Sequence, residues 1–306
     1  MRKKWVVGML EEVTKNTARN ISNGILLQVC DLQKGNKQES KYKKDFFCKT
    51  KKQEDKIGKN EYKPSAFTLF AAELIGTGLL MFLGCMGCVI EVDNPPAPHQ
   101  MNSLAFGLVI LLIIQAFGHI SGAHLNPAVT LAAVLMKVFS PLIGLVYITA
   151  QFVGGLLGFG LLKVLLPSAY VKDGFCMTLP HSLLTPIQAL VIETIITATL
   201  IVVVCAVWDA RNADKPDSVP MRFAFIVVAI SMVAGPFTGA SMNTVRTFAP
   251  ALFLGNLNYQ WIYWIGPNIG AILGCGIYKF LFAVPEKEEI PKEESVVLED
   301  VKPEKS

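Results

Sequence analysis

Polar and apolar positions in this chain are segregated into long blocks rather than interleaved with a helical or strand period. Residues 1–63 are polar and rich in lysine, with no sustained periodicity, which predicts a basic tail without fixed structure. Six apolar blocks follow, at about 66–90, 103–118, 141–166, 187–208, 222–234 and 259–283. A helix rises 1.5 Å per residue, so blocks of about 20 residues match a hydrocarbon layer of about 30 Å. Two further apolar stretches, 127–136 and 244–254, are too short to cross. The first and fourth blocks carry one acidic residue each, Glu73 and Glu193. Residues 91–102 hold Pro95, Pro96 and Pro98 without Lys or Arg and read as an outside loop. Gly154, Gly155 and Gly158 in the third block read as close-packing positions between helices.

The segments before the two short stretches resemble each other. Residues 118–130 read Gly-His-Ile-Ser-Gly-Ala-His-Leu-Asn-Pro-Ala-Val-Thr, and residues 235–247 read Gly-Pro-Phe-Thr-Gly-Ala-Ser-Met-Asn-Thr-Val-Arg-Thr. They align without a gap. Asn126 faces Asn243, Gly122 faces Gly239, and Pro127-Ala128 faces Thr244-Val245. The likeness extends outward: Glu73, Thr77, Leu80 and Cys85 match Glu193, Thr197, Leu200 and Cys205, and Tyr147, Gly154 and Gly158 match Tyr263, Gly270 and Gly274. The chain is therefore read as two repeats, 66–166 and 187–283, of three spans each. Three is odd, so the second repeat inserts upside down relative to the first. The expected fold is an all-α membrane protein of six transmembrane helices plus two re-entrant half-helices, 127–136 and 244–254.

Composition agrees. Of 306 residues, 52% are hydrophobic and 17% charged, with a mean hydropathy of +0.44, against roughly 25% charged in soluble domains. The net charge of +4 belongs to the ends: the tail at 1–63 is basic and the tail at 285–306 is acidic. Lys and Arg in the N-terminal tail and in 209–220 place both termini in the cytoplasm of a multi-pass cell-membrane protein. Nothing resembles a nucleic-acid-binding motif. The opening residues mimic a signal peptide, but the apolar run is too short and meets Glu11-Glu12. The seven cysteines do not read as a disulfide framework. Cys85, Cys205 and Cys275 lie within apolar runs and are expected as small core residues, and Cys85-x-x-Cys88 lacks a second pair to hold a metal. No nucleophile has a plausible base, so neither an enzyme nor a cofactor is expected.

A loop and half-helix at membrane depth is tolerated only where it is buried in protein or lines a wet cavity. Inverted symmetry brings the two half-helix N-termini together near the midplane. Each has unpaired N–H groups and about half a positive charge. Asn126 and Asn243 are expected to cap those ends and to aim their amide NH2 groups into the cavity. Glu73 and Glu193 are expected to hold the loops, rather than to couple protons as in a transporter. His119 is expected to anchor its loop and His124 to pack beside the pore. Such a passage lets neutral hydrogen-bonding molecules exchange partners while opposing cations and protons.

These residues resemble the aquaporin (major intrinsic protein) family over about 66–283. The first motif matches that family's signature fully; the second keeps Asn243 and Arg246 but has Thr244-Val245 in place of Pro-Ala. The resemblance implies a homotetramer with one pore per subunit. It also implies an outer filter at Phe106, Ser231, Ala240 and Arg246. Ser231 stands where water-selective members carry histidine, so the filter is expected to be wide enough for glycerol and urea besides water. The combination resembles the glycerol-conducting aquaporins of insects, although Thr247 replaces the Asp that follows the filter arginine in other glycerol channels. A water-selective channel, a secondary transporter and a junctional membrane protein on the same fold are the alternatives.

Overall fold

The computed structural model describes residues 63–89, 99–171 and 174–282. The basic and acidic tails and the proline-rich loop at 91–98 lie outside them. Among the described residues eight α-helices follow in order: α1 Ala66–Met86, α2 His99–Ser121, α3 Pro127–Leu135, α4 Pro141–Leu165, α5 Pro186–Trp208, α6 Val219–Thr238, α7 Thr244–Leu254 and α8 Gln260–Leu281. Local chemistry sets the ends. Ser65 caps α1, Thr185 and Gln188 form a reciprocal capping box on α5, and proline occupies the first turn of α3, α4, α5 and α6.

Helices α2 and α6 outrun the apolar blocks at 103–118 and 222–234. Each runs on past its block, α2 through His119 to Ser121 and α6 through Gly235 and Pro236 to Thr238, until a left-handed glycine stops it: Gly122 at φ 82° and Gly239 at φ 78°. Hydropathy marks where lipid begins, not where the backbone changes. Helices α1, α2, α4, α5 and α6 are long and apolar enough to cross a membrane. Helix α8 has a similar length but is interrupted by Gln260, Pro267, Asn268 and Lys279.

The packing follows the repeat. Helix α4 lies on α1, α8 lies on α5, and α2 pairs with α6 between the two halves. The first two pairs are close because glycine meets backbone. A Cβ on Gly154 or Gly158 would fall on the carbonyls of Leu74 and Gly78. One on Gly270 or Gly274 would fall on those of Thr194 and Ala198. The outer surface carries Phe67, Leu142, Val164 and Phe280 at 71–85% exposure, the face that a bilayer covers.

One sequence expectation is corrected. Cys85 is a core residue with no exposure, but it is also bonded to Cys176, 91 residues away in the α4–α5 connection. Spacing gave no signal, because the partner sits in a loop with no match in the other half. The repeat mate Cys205 lies at the opposite end beside Cys275, and both are free thiols. Beyond α5, Asp209 accepts a forked pair of bonds from Arg211 and one from Tyr278, while Arg211 also reaches the carbonyl of Phe282. The Arg211 guanidinium holds the Asp209 carboxyl below the usual carboxylate range. That cluster ties the start of the α5–α6 connection to the end of α8.

Replacing Gly158 by Val should push α4 off α1 and cost about 1–3 kcal/mol, as overpacking of a closed contact does. A lowered thermal midpoint of the detergent-solubilised protein would show it. An unchanged midpoint would mean that the helices can separate freely.

Candidate functional site

Two loops, 122–126 and 239–243, run between long helices and half-helices. Each bends through left-handed conformations at residues other than glycine: Ala123 (φ 47°) and Leu125 (φ 57°), then Ala240 (φ 45°) and Met242 (φ 52°). Such residues cost about 1–3 kcal/mol each and persist only where the surroundings over-determine them. The surroundings are the two carboxylates. Glu73 accepts the N–H groups of His124 and Leu125, the Ser121 hydroxyl at 2.6 Å and the Gln151 amide at 2.8 Å. Glu193 accepts the N–H groups of Ser241 and Met242 and the Thr238 hydroxyl at 2.6 Å. Neither has any exposed surface. Tyr147 and Tyr263 hold the same loops from the long helices, donating to the carbonyls of Ser121 and Thr238.

The loops deliver the two asparagines to one place. Asn126 accepts the N–H of Ala128, and Asn243 accepts those of Val245 and Arg246. Each amide then donates across the repeat axis: Asn126 Nδ2 to the carbonyl of Met242, and Asn243 Nδ2 to the carbonyl of Leu125, both at 2.8 Å. One proton of each NH2 is thus spent joining the half-helices. An amide has two, so each retains one more to offer.

Thr244 and Val245 leave this geometry intact. Asn126 has φ −154° and ψ 122°, and Asn243 has φ −150° and ψ 113°. The Thr244 hydroxyl donates to the carbonyl of Tyr263 at 3.1 Å. That carbonyl would normally take the N–H four residues on, but residue 267 is proline and has none. The first half shows the reverse arrangement, with proline at 127 on the half-helix and Gln151 on the long helix. The threonine therefore satisfies an acceptor that Pro267 orphans.

A cavity of about 840 Å³ passes these groups. Its wall includes Asn126, Asn243 and the four positions expected from the sequence to form a filter, Phe106, Ser231, Ala240 and Arg246. It continues beyond the asparagines to Trp208 and Asp217. Arg246 donates to the carbonyl of Cys176 at 2.6 Å, and its guanidinium carbon lies 4.8 Å from the centre of the Phe106 ring. Pro127 and Ala128 are buried behind the asparagine, as are Thr244 and Val245. His124 bonds Thr130 through Nδ1 at 3.3 Å and stacks among Phe139, Tyr147 and Trp208. In the second half Ser241 takes that part, bonding Thr247. His119 differs from expectation: it is exposed and lines the cavity, and Ser121, two residues on, is the side chain that meets Glu73. Sequence reasoning also passed over Thr238, Gln151 and Cys176. Ser121 and Thr238 occupy one position of the aligned motifs as hydroxyl residues, a signal that was there to be read. Cys176 had none.

The family model described as Major intrinsic protein matches residues 62–278. The chain belongs to the major intrinsic protein family. Aquaporin-4 of Homo sapiens is 41% identical over 208 residues, covering 67% of this chain and 64% of that protein. Aquaporin-4 of Rattus norvegicus is 41% identical over 191 residues, covering 62% and 59%. The match therefore spans less than two thirds of these relatives. The lens fiber major intrinsic protein of Gallus gallus is 36% identical over 222 residues, covering 72% and 83%. Among solved structures, the aquaglyceroporin from Plasmodium falciparum shares the fold, with a TM-score of 0.65 and 23% identity over 71% of this chain and 97% of its own.

Substituting Thr244 by Val keeps the shape and strands the Tyr263 carbonyl. The expected cost is about 1–3 kcal/mol, read as a lower unfolding midpoint in detergent. A midpoint equal to that of the unaltered protein would show that the hydroxyl satisfies nothing.

Proposed function

We propose that this protein is a passive membrane channel for water and small neutral solutes, glycerol and urea among them, that excludes ions and protons. The observation that carries the proposal is the pair of capping asparagines, cross-linked by their amides and exposed to one continuous cavity. A permeating molecule meets donors at the centre and loop carbonyls on either side. A cation meets two helix N-termini and the Arg246 guanidinium, and the wall offers too little to replace its hydration shell. Glu73 and Glu193 hold the loops and carry no proton through: their oxygens already accept hydrogen bonds from the loop and its neighbours.

The filter reading rests on four side chains. Phe106 and Ala240 give apolar wall, Arg246 gives donors, and Ser231 contributes a hydroxymethyl group where a ring would narrow the passage. This combination favours glycerol over strict water selectivity and is the basis for the likeness to the glycerol channels of insects. Two arguments support cytoplasmic termini. Lys and Arg cluster at 1–63 and 209–220, and the Cys85–Cys176 disulfide fits the oxidising outer face. The outward apolar faces fit a bilayer and a homotetramer.

Stopped-flow light scattering on proteoliposomes tests the solute range. Ser231→His should cut glycerol re-entry while leaving osmotic water flux near that of the unaltered channel. Unchanged glycerol flux would overturn the filter assignment; absence of rapid water flux in the unaltered protein would overturn the channel itself.

A further inference from the structure

We infer that the Cys85–Cys176 disulfide is a selectivity device: it fixes the carbonyl oxygen that orients Arg246. The inference rests on the channel reading above and adds a covalent element to the filter. Among the described residues, no carboxylate forms an ion pair with Arg246. Its guanidinium is placed instead by the Phe106 ring and by one neutral acceptor, the carbonyl of Cys176. The direction of that carbonyl depends on a backbone that has little reason to hold it. Cys176 is a non-glycine residue at φ 57°, in a connection outside the regular helices. Such a conformation needs outside constraint.

The constraint comes from two sides. The Cys176 side chain is bonded to Cys85 at the end of α1. Two residues on, the Thr178 hydroxyl bonds Thr247, the residue after Arg246. The segment carrying the acceptor is thereby tied both to α1 and to the half-helix that carries the donor. The same end of α1 also seats the other wall of the filter. Gly84, next to Cys85, lies against the Phe106 ring, where a Cβ would come within 2.6–3.0 Å of ring carbons. One turn of α1 thus supports the aromatic wall by lacking a side chain and the arginine by a covalent bond. Cutting the bond frees the Cys176 carbonyl, and with it the guanidinium, while Phe106, Ser231, Ala240 and Arg246 keep their side chains unchanged.

The test separates selectivity from mere stability. Glycerol and water permeabilities are measured on proteoliposomes of the full chain, before and after reduction with a phosphine, with bond opening followed by mass spectrometry of alkylated peptides. The ratio of glycerol to water permeability should shift several-fold on reduction, while water flux persists. Cys85→Ser/Cys176→Ser should show the shifted ratio without reductant and no further response to it. Arg246→Val should change the ratio less in that double variant than in the unaltered channel, because both changes act through one contact. If the double variant does not fold, reduction of the unaltered protein decides. A ratio unchanged after verified reduction, with water flux intact, overturns the inference alone. No water flux in the unreduced protein overturns the channel reading and this inference with it.

Discussion

Everything distinctive in this molecule depends on two carboxylates kept where carboxylates are costly. A charged side chain inside a membrane protein survives when donors surround it. Glu73 and Glu193 have those donors because loop backbone turns toward them, and they in turn hold that backbone in place. The exchange removes two problems at once. Orphaned N–H groups at membrane depth find acceptors, and the left-handed residues at 123, 125, 240 and 242 are locked in place. With the loops fixed, Asn126 and Asn243 arrive within reach of the carbonyls of Met242 and Leu125 in the opposite loops. The central site is thus a consequence of the carboxylates rather than a separate construction.

The two halves reach this state with different side chains. Ser121 and Thr238 do the same work, as do Tyr147 and Tyr263. Elsewhere the partners change. Gln151 bridges Glu73 to Thr130, while its counterpart is Pro267, and the half-helix beside that proline begins with a threonine. His124 and Ser241 both reach the threonine six residues on, one through a ring and one through a hydroxyl. The repeat preserves which backbone groups are satisfied, not which residue satisfies them.

Much of this was legible in the order of residues. The six long helices, both half-helices and their asparagine caps followed from block lengths and from two aligned motifs. Close helix pairing followed from the matched glycines at 154, 158, 270 and 274. Helix ends were less legible, because α2 and α6 run on past their apolar blocks until glycine stops them. The donors around the carboxylates were hidden because hydroxyls and backbone N–H groups are ordinary in sequence. Cys85 was hidden for a different reason. Its apolar setting explained it fully, so nothing asked for a partner 91 residues away in an unrepeated loop. The loop between the halves therefore supplies what symmetry does not: an asymmetric clamp on Arg246 at one end of a nearly symmetric passage.

On the proposed function, neutral molecules cross this arrangement and protons do not. The most direct measurement follows osmotic water flux and proton flux in the same proteoliposomes, the second with a pH-sensitive dye and a potassium ionophore to clamp the potential. Water movement should be fast, with an activation energy well below that of bare lipid, and proton flux no greater than that of protein-free vesicles. Proton flux that rises with protein content in step with water would contradict the proposed function.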